Sequence, residues 1–197
     1  MNEKYIIVDN FYSDPDMVRK IALESKYSIP PGNNSNWAGN STENSYVMPG
    51  LDSYLSKRTG KMFRAQYPLR NGYFRKALQG DATKSYVHVD TPLNGSNASL
   101  YTGVLYLTPN EYSKGKPGTN FFKHKPTGLH KIESYNDITF TLRDSYNPDL
   151  WELTESIEML YNRLLLIHVD YFHGPADSFG DNDLNCSYKQ IFSFALI

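Results

Sequence analysis

The sequence predicts a mostly β fold with flanking helices, of the sandwich or barrel type. Its 197 residues include 16 Tyr and 10 Phe, and aromatic residues favour strands. Clusters of Gly, Asn, Ser and Pro recur at short intervals, as turns between short strands do. Two segments with helical spacing precede seven or eight segments of strand character. That order favours helices packed on one side of a β structure.

The first part of the chain, about residues 1–70, predicts a strand and two helices. The apolar run YIIVDNF at 5–11 is typical of a strand. Asp14 can cap a helix that has Pro15 at its first position, and apolar side chains then recur on one helical face. Residues 50–67 repeat this spacing and predict a second helix, which Gly60 weakens.

Between these helices, residues 28–46 are rich in Pro, Gly, Asn and Ser and predict a long loop. Trp37 is the only large apolar anchor in that stretch apart from its ends. Loops of this length in compact domains are often lids or binding loops.

The remainder, about residues 71–197, predicts a strand-rich core. Its strand-like segments are GYFRKAL (72–78), SYVHVDT (85–91), SLYTGVLYLT (99–108), TNFFKHK (119–125), RLLLIHVDYFH (163–173) and SYKQIFSFALI (187–197). Turn residues separate most of them. Residues 147–162 are ambiguous, because the first half suits a helical turn and the second half alternates like a strand.

Composition narrows the class of protein. The formal net charge is -1, from 20 basic and 21 acidic residues, and no basic block is present to neutralise phosphates, so a nucleic-acid partner is disfavoured. Cys186, the one cysteine, cannot form an internal disulfide. No apolar run has the length of a signal peptide or membrane span. We therefore expect one soluble cytoplasmic domain, residues 1–197, without a membrane partner.

A tripeptide occurs twice in the chain. His88-Val89-Asp90 is repeated as His168-Val169-Asp170. A His and an Asp two residues apart on a strand point to the same face, so each copy offers two metal ligands. An Fe(II) site of the facial-triad type needs one more His. A histidine that only packs or faces solvent remains the alternative for either copy.

The third histidine favours the first copy. His173 follows His88 by 85 residues (173 minus 88), but it follows His168 by only five and has the opposite strand parity. A metal bound by an early strand and a late strand bridges two sheets, or closes a barrel, and lies at the mouth of that barrel. Ligand pockets are usually built at barrel mouths.

The order of His88-x-Asp90, a series of strands and His173 resembles the Fe(II)- and 2-oxoglutarate-dependent dioxygenases, in particular small prolyl-hydroxylase-like members from bacteria and their phages. Three further stretches resemble the same family, and together they span nearly the whole chain. They are YIIVDNFYSDPDMVRKIAL (5–23), GVLYLTPN (103–110) with KPGTNFFKH (116–124), and YNRLLLIHVDYFHGP (161–175).

The resemblance implies a double-stranded β-helix, the cupin-like jelly roll, with the two N-terminal helices packed on one sheet. It implies Fe(II) held by His88, Asp90 and His173, with 2-oxoglutarate and O2 as co-substrates. The positions of His168 and Val169 would form a turn and bind no metal. Oxidation of a substrate would be coupled to decarboxylation of 2-oxoglutarate to succinate. Members that halogenate lack the acidic ligand, so Asp90 implies a hydroxylase.

In this family a basic side chain on the last core strand pairs with the distal carboxylate of 2-oxoglutarate. Lys189 is the only base on that strand here, with Ser193 on the same face, and it lies 16 residues after His173 (189 minus 173), longer than is common. Tyr101 and Tyr106 are further candidates for hydrogen bonds to the co-substrate. The alternatives are a solvated Lys189 and two core aromatics.

Residues 30–48, which include Trp37, would lie near the mouth of the barrel and shape substrate choice. The expected substrate is a peptidyl side chain, then a small metabolite, with a nucleobase last, and the protein would be a monomer or homodimer of a bacterial or virus-infected cell. His124 and His130 are expected in an exposed loop. Two other functions remain open: a zinc-binding, cupin-like hydrolytic site, and a non-catalytic jelly roll of a viral structural or accessory protein.

Overall fold

The structure, a computed structural model, describes residues 3–29, 37–66, 71–81, 87–90, 99–134 and 136–197. Their helices are α1 (Pro15–Glu24), α2 (Leu51–Thr59), α3 (Asn110–Ser113) and α4 (Asp137–Asp144). Their strands are β1 (Tyr5–Val8), β2 (Tyr27–Ile29), β3 (Asn40–Ser45), β4 (Phe63–Ala65), β5 (Tyr73–Ala77), β6 (Ser99–Tyr106), β7 (Pro117–His124), β8 (Trp151–Glu158), β9 (Leu164–His168), β10 (His173–Pro175) and β11 (Ser187–Leu196).

Two antiparallel sheets make the body of the protein. The larger runs β1-β9-β6-β11-β5-β3-β2, with β4 also paired to β11, and the smaller runs β10-β7-β8. Tyr106 and Leu165 of the larger sheet share one buried apolar cluster with Phe121 and Ile157 of the smaller sheet. The two inner faces therefore pack against each other, which confirms the mostly β, jelly-roll fold.

The helices α1 and α2 cover the other face of the larger sheet. Asp14 caps α1 by accepting a hydrogen bond from the Met17 amide, and Pro15 occupies the first turn, as the sequence predicts. Val18 of α1 and Leu55 of α2 are fully buried in the cluster that also holds aromatic and leucine side chains of β5, β6, β9 and β11. No helix among the described residues has the length and apolar character to cross a membrane.

Several predicted boundaries are wrong. Residues 40–45, expected in a loop, form β3, which pairs with β2 and β5. The second helix ends at Gly60, whose φ is +68°, so residues 63–65 belong to β4 rather than to the helix. Helix α4 was not predicted, and the ambiguous stretch 147–162 contains a 3₁₀ turn, Pro148–Leu150, followed by β8.

Part of the predicted long loop, 30–36, and part of the predicted strand at 85–91 lie outside the described residues. The described portion of that strand, 87–90, forms a bridge to β10 through His88 and His173. The first 66 residues, predicted as helical support, also contribute β1, β2, β3 and β4 to the larger sheet.

Candidate metal centre and adjoining cavity

His88, Asp90 and His173 form a cluster in which one ligand atom of each lies within 4.8 Å of the others. The Asp90 carboxylate lies between the rings, with Oδ1 3.7 Å from His88 Nε2 and Oδ2 3.3 Å from His173 Nε2. The backbone positions the rings, because the His88 amide donates to the His173 carbonyl at 2.8 Å and the His173 amide to the His88 carbonyl at 3.0 Å.

Strand parity and a second hydrogen bond fix which atoms face one another. Residues 88 and 90 lie on one side of the chain, while Val87 and Val89 lie on the other side and pack in an apolar cluster with Phe172. His173 Nδ1 lies 2.9 Å from the Tyr171 carbonyl. A ring that donates there directs Nε2 towards Asp90, which is the usual arrangement of a metal-binding histidine.

The protonation states of the cluster suit a divalent cation. Burial lowers the pKa of His88 to about 3, so its imidazole is neutral. Burial opposes ionisation of Asp90, but hydrogen bonds from His173 and Thr102 and electrostatic interactions with His173 and His88 lower its pKa. The hydrogen bond to Asp90 raises the pKa of His173 despite burial. Two imidazoles and a carboxylate fit a facial-triad metal, and metal binding competes with protonation of the imidazoles.

The second copy of the tripeptide does not join this cluster. His168 ends β9 and its ring meets Tyr101 edge-on, with 5.2 Å between ring centroids. Its Nδ1 lies 3.6 Å from Asp170 Oδ2. Among the described residues, the cluster of three possible ligands is His88, Asp90 and His173.

A cavity of about 310 Å³ adjoins the triad between the two sheets. Lys189 and Ser193, both predicted from the sequence, line it together with Trp37. Lys189 Nζ donates to the Gly118 carbonyl of β7 at 3.3 Å. Burial and the neighbouring charge of Arg75 lower the pKa of Lys189 to about 8. Lys189 therefore lines the cavity and is half-buried there.

The two candidate tyrosines occupy opposite faces of β6. Tyr106 pairs with Lys189 across the sheet, whereas Tyr101 pairs with Phe194, and directly paired residues share a face. Tyr101 packs under the helices, on the face of β6 away from the cavity, and its hydroxyl donates to the Glu3 carbonyl at 3.1 Å. The Tyr106 hydroxyl lies 2.8 Å from that of Thr119, a residue that lines the cavity.

Sequence reasoning did not find two residues of the cavity, Arg75 and Thr102. Arg75 pairs with Lys189 across β5 and β11, and its guanidinium lies 4.6 Å from the centre of the Trp37 ring. The sequence run GYFRKAL shows that Arg75 lies on a strand. It does not show that Arg75 faces the cavity, because that requires the register of this strand against the strand of Lys189.

The prediction that His124 is exposed is also wrong. Its ring is 1% exposed, stacks on Phe140 at 4.5 Å and lies with Nε2 3.2 Å from Asp144. His130 is exposed as predicted.

Comparison with known proteins shows the same fold. No protein-family model and no curated protein matches the chain. The solved structure of SnoK, a non-haem α-ketoglutarate-dependent carbocyclase from nogalamycin biosynthesis, is 13% identical with a TM-score of 0.56, over 98% of this chain and 79% of SnoK. HygX from Streptomyces hygroscopicus, solved with nickel and 2-oxoglutarate bound, is 10% identical with a TM-score of 0.54, over 98% of this chain and 82% of HygX.

Proposed function

We propose that this protein is an Fe(II)- and 2-oxoglutarate-dependent oxygenase that hydroxylates its substrate. The observation that carries the proposal is the conjunction, in one cavity, of a two-histidine, one-carboxylate cluster and a half-buried lysine. A facial triad leaves coordination positions open on the metal. The lysine supplies the charge that the distal carboxylate of 2-oxoglutarate requires.

In this proposal His88, Asp90 and His173 hold Fe(II), which supplies the oxidation of substrate by O2 coupled to conversion of 2-oxoglutarate to succinate. Lys189 binds the distal carboxylate of 2-oxoglutarate as a point charge. Ser193 lies on the same face of β11 and donates its hydroxyl to that carboxylate, and Tyr106 fixes Thr119 beside it. Thr102 holds the Asp90 carboxylate by a hydrogen bond.

Zinc with a water molecule also suits two histidines and a carboxylate, and a non-catalytic jelly roll is a second alternative. Neither gives Lys189 a role. Partial desolvation of an ammonium costs free energy, an anion in the cavity would offset that cost, and Lys189 lines the same cavity as the triad. That placement favours a keto-acid co-substrate over hydrolysis at zinc.

The test is the visible charge-transfer band of a keto acid chelated to Fe(II). Purified protein is mixed with Fe(II) and 2-oxoglutarate without oxygen, and the band is expected in the wild type, absent in His88→Ala and retained in His168→Ala. His168→Ala is the matched control, because it removes the same residue from the other copy. Circular dichroism and a thermal melt verify that both variants are folded.

The outcomes separate the alternatives. Iron binding without a band contradicts the keto-acid proposal and leaves the zinc or structural function. A band that is lost in His168→Ala and kept in His88→Ala shows that the wrong copy was chosen. When the band forms, succinate release with a panel of peptides and small metabolites identifies the substrate.

A further inference from the structure

We propose that Arg75, stacked on Trp37, binds a carboxylate group of the substrate, so that the substrate is a small organic acid. This inference rests on the proposed function, since it assigns Lys189 to 2-oxoglutarate and Arg75 to the second ligand of the same cavity. The stacked pair of Trp37 and Arg75 forms one wall of the cavity, the β5 wall.

The β5 wall is built by the sequence around it. Gly39 has φ of +72°, and a Cβ at this position would lie 1.9 Å from the Lys76 carbonyl oxygen. Only glycine allows the chain to cross β5 this closely, and the crossing brings Trp37 over the adjacent Arg75. The guanidinium lies 4.6 Å from the ring centre, within the range of a cation–π contact. Both side chains line the cavity.

The two cations of the cavity point to different partners. Arg75 and Lys189 are directly paired on β5 and β11, and like charges at such positions destabilise a sheet unless anions lie near them. Lys189 extends across the cavity to the Gly118 carbonyl of the smaller sheet at 3.3 Å, whereas Arg75 lies against Trp37. Lys189 can therefore bind the distal carboxylate of 2-oxoglutarate, and the β5 wall provides a separate position for a carboxylate of the substrate.

The chemistry of the β5 wall selects a carboxylate. A guanidinium presents parallel N–H groups that match the two oxygens of a carboxylate, and an aromatic ring beneath it holds that plane in place. The cavity of about 310 Å³ is at the small end of ligand sites. With 2-oxoglutarate bound, the remaining space suits a small acid rather than a bulky chain.

The experiment uses benzoate as the anionic probe and benzamide as its neutral isostere. Protein loaded with Mn(II) and 2-oxoglutarate, which does not turn over, is titrated with each compound by calorimetry. Benzoate is expected to bind about tenfold or more tightly than benzamide in the wild type, as charge-assisted hydrogen bonds predict. Arg75→Gln should abolish this preference, Arg75→Lys should retain part of it, and 2-oxoglutarate affinity should change by less than about twofold.

Arg64→Gln is the matched control, because Arg64 is an exposed arginine of β4 in the same sheet. It should leave both titrations unchanged, and thermal melts verify that every variant is folded. Three results overturn the inference: equal binding of benzoate and benzamide, no benzoate binding up to about 10 mM, or loss of 2-oxoglutarate affinity in Arg75→Gln. The last result would make Arg75 a second contact of the co-substrate.

Failure of the proposed function is seen separately, as an absence of 2-oxoglutarate binding to the wild type with Mn(II). In that case the benzoate and benzamide titrations are repeated on the metal-free protein. Preference for benzoate that depends on Arg75 then supports the anion site alone, and its absence overturns both assignments.

Discussion

Replacement of Lys189 by Met tests the co-substrate site most directly. Methionine has nearly the length and apolar character of the lysine stem but carries no charge. Lys189 is half-buried in the cavity wall, and its Nζ donates to the Gly118 carbonyl. The substitution therefore removes the ammonium while the packing of β11 against β5 and β6 is kept.

The magnitude follows from the type of contact that is lost. Hydrogen bonds to charged groups contribute about 1.5–3 kcal/mol, and about 1.4 kcal/mol corresponds to a tenfold change in Kd. The Kd for 2-oxoglutarate should therefore rise by roughly 10- to 150-fold. The protein without co-substrate should not lose stability, because burial and the opposed Arg75 already disfavour the Lys189 charge.

Calorimetry of 2-oxoglutarate with the Mn(II)-loaded protein measures this change, and the Fe(II) charge-transfer band provides a second readout. Lys189→Arg keeps the charge and is the companion variant, which should bind more tightly than Lys189→Met. A Kd for Lys189→Met within about twofold of the wild type would refute the reasoning, since it would place the carboxylate anchor elsewhere.

Three further outcomes are expected. Because the pKa of Lys189 is lowered to about 8 and the protonated amine binds the carboxylate, 2-oxoglutarate affinity should fall as pH rises through about 8. Lys189→Arg should lack this dependence in binding measured across the same range. Gly118→Ala places a Cβ 2.6 Å from Tyr106 Cζ, so it should cost about 1–3 kcal/mol of stability and weaken 2-oxoglutarate binding, as a denaturant titration and calorimetry would measure. Leu55→Ala, at a fully buried position under the larger sheet, should cost about 2–5 kcal/mol with an unchanged 2-oxoglutarate Kd; a weakened Kd would contradict the separation of core and cavity.

Elements that depend on local chemistry were predictable from the sequence. Helix α1 has its cap and its proline next to each other in the sequence, and the structure confirms both. Its apolar face is confirmed only in part, because Val18 and Ala22 are buried whereas Met17 is exposed. Strand β3 was not predictable, because NSTENS is polar and turn-like. It is extended because it lies between β2 and β5, whose pairing satisfies its backbone. Tertiary contacts overrode local propensity there.

The cavity was predictable only in part, for a similar reason. The alternation of faces along a strand placed Lys189 and Ser193, four residues apart, on one face, and both line the cavity. It could not tell which of Tyr101 and Tyr106 faces the cavity, because that requires knowing which face of β6 packs against the smaller sheet. Arg75 needed still more, namely the register of β5 against β11. A sequence specifies periodicity within a strand but not the pairing between strands.

The two His-Val-Asp copies differ through their backbone partners rather than their side chains. In the first copy, His88 bridges to His173 and its ring is brought beside Asp90. In the second, His168 ends β9 with its amide bonded to the Lys4 carbonyl at 3.0 Å, and the chain then turns.

The turn that follows β9 positions the first copy, His88-Val89-Asp90, through backbone hydrogen bonds. The Val169 carbonyl accepts a hydrogen bond from the Asp90 amide at 3.0 Å, and the Tyr171 amide closes the turn on the His168 carbonyl at 3.1 Å. The turn thus holds Asp90 and sets the register in which His173 enters β10. These contacts are made by the backbone, so removing the His168 ring should leave the triad in place, whereas an inserted residue at 169–170 should turn His173 away from Asp90.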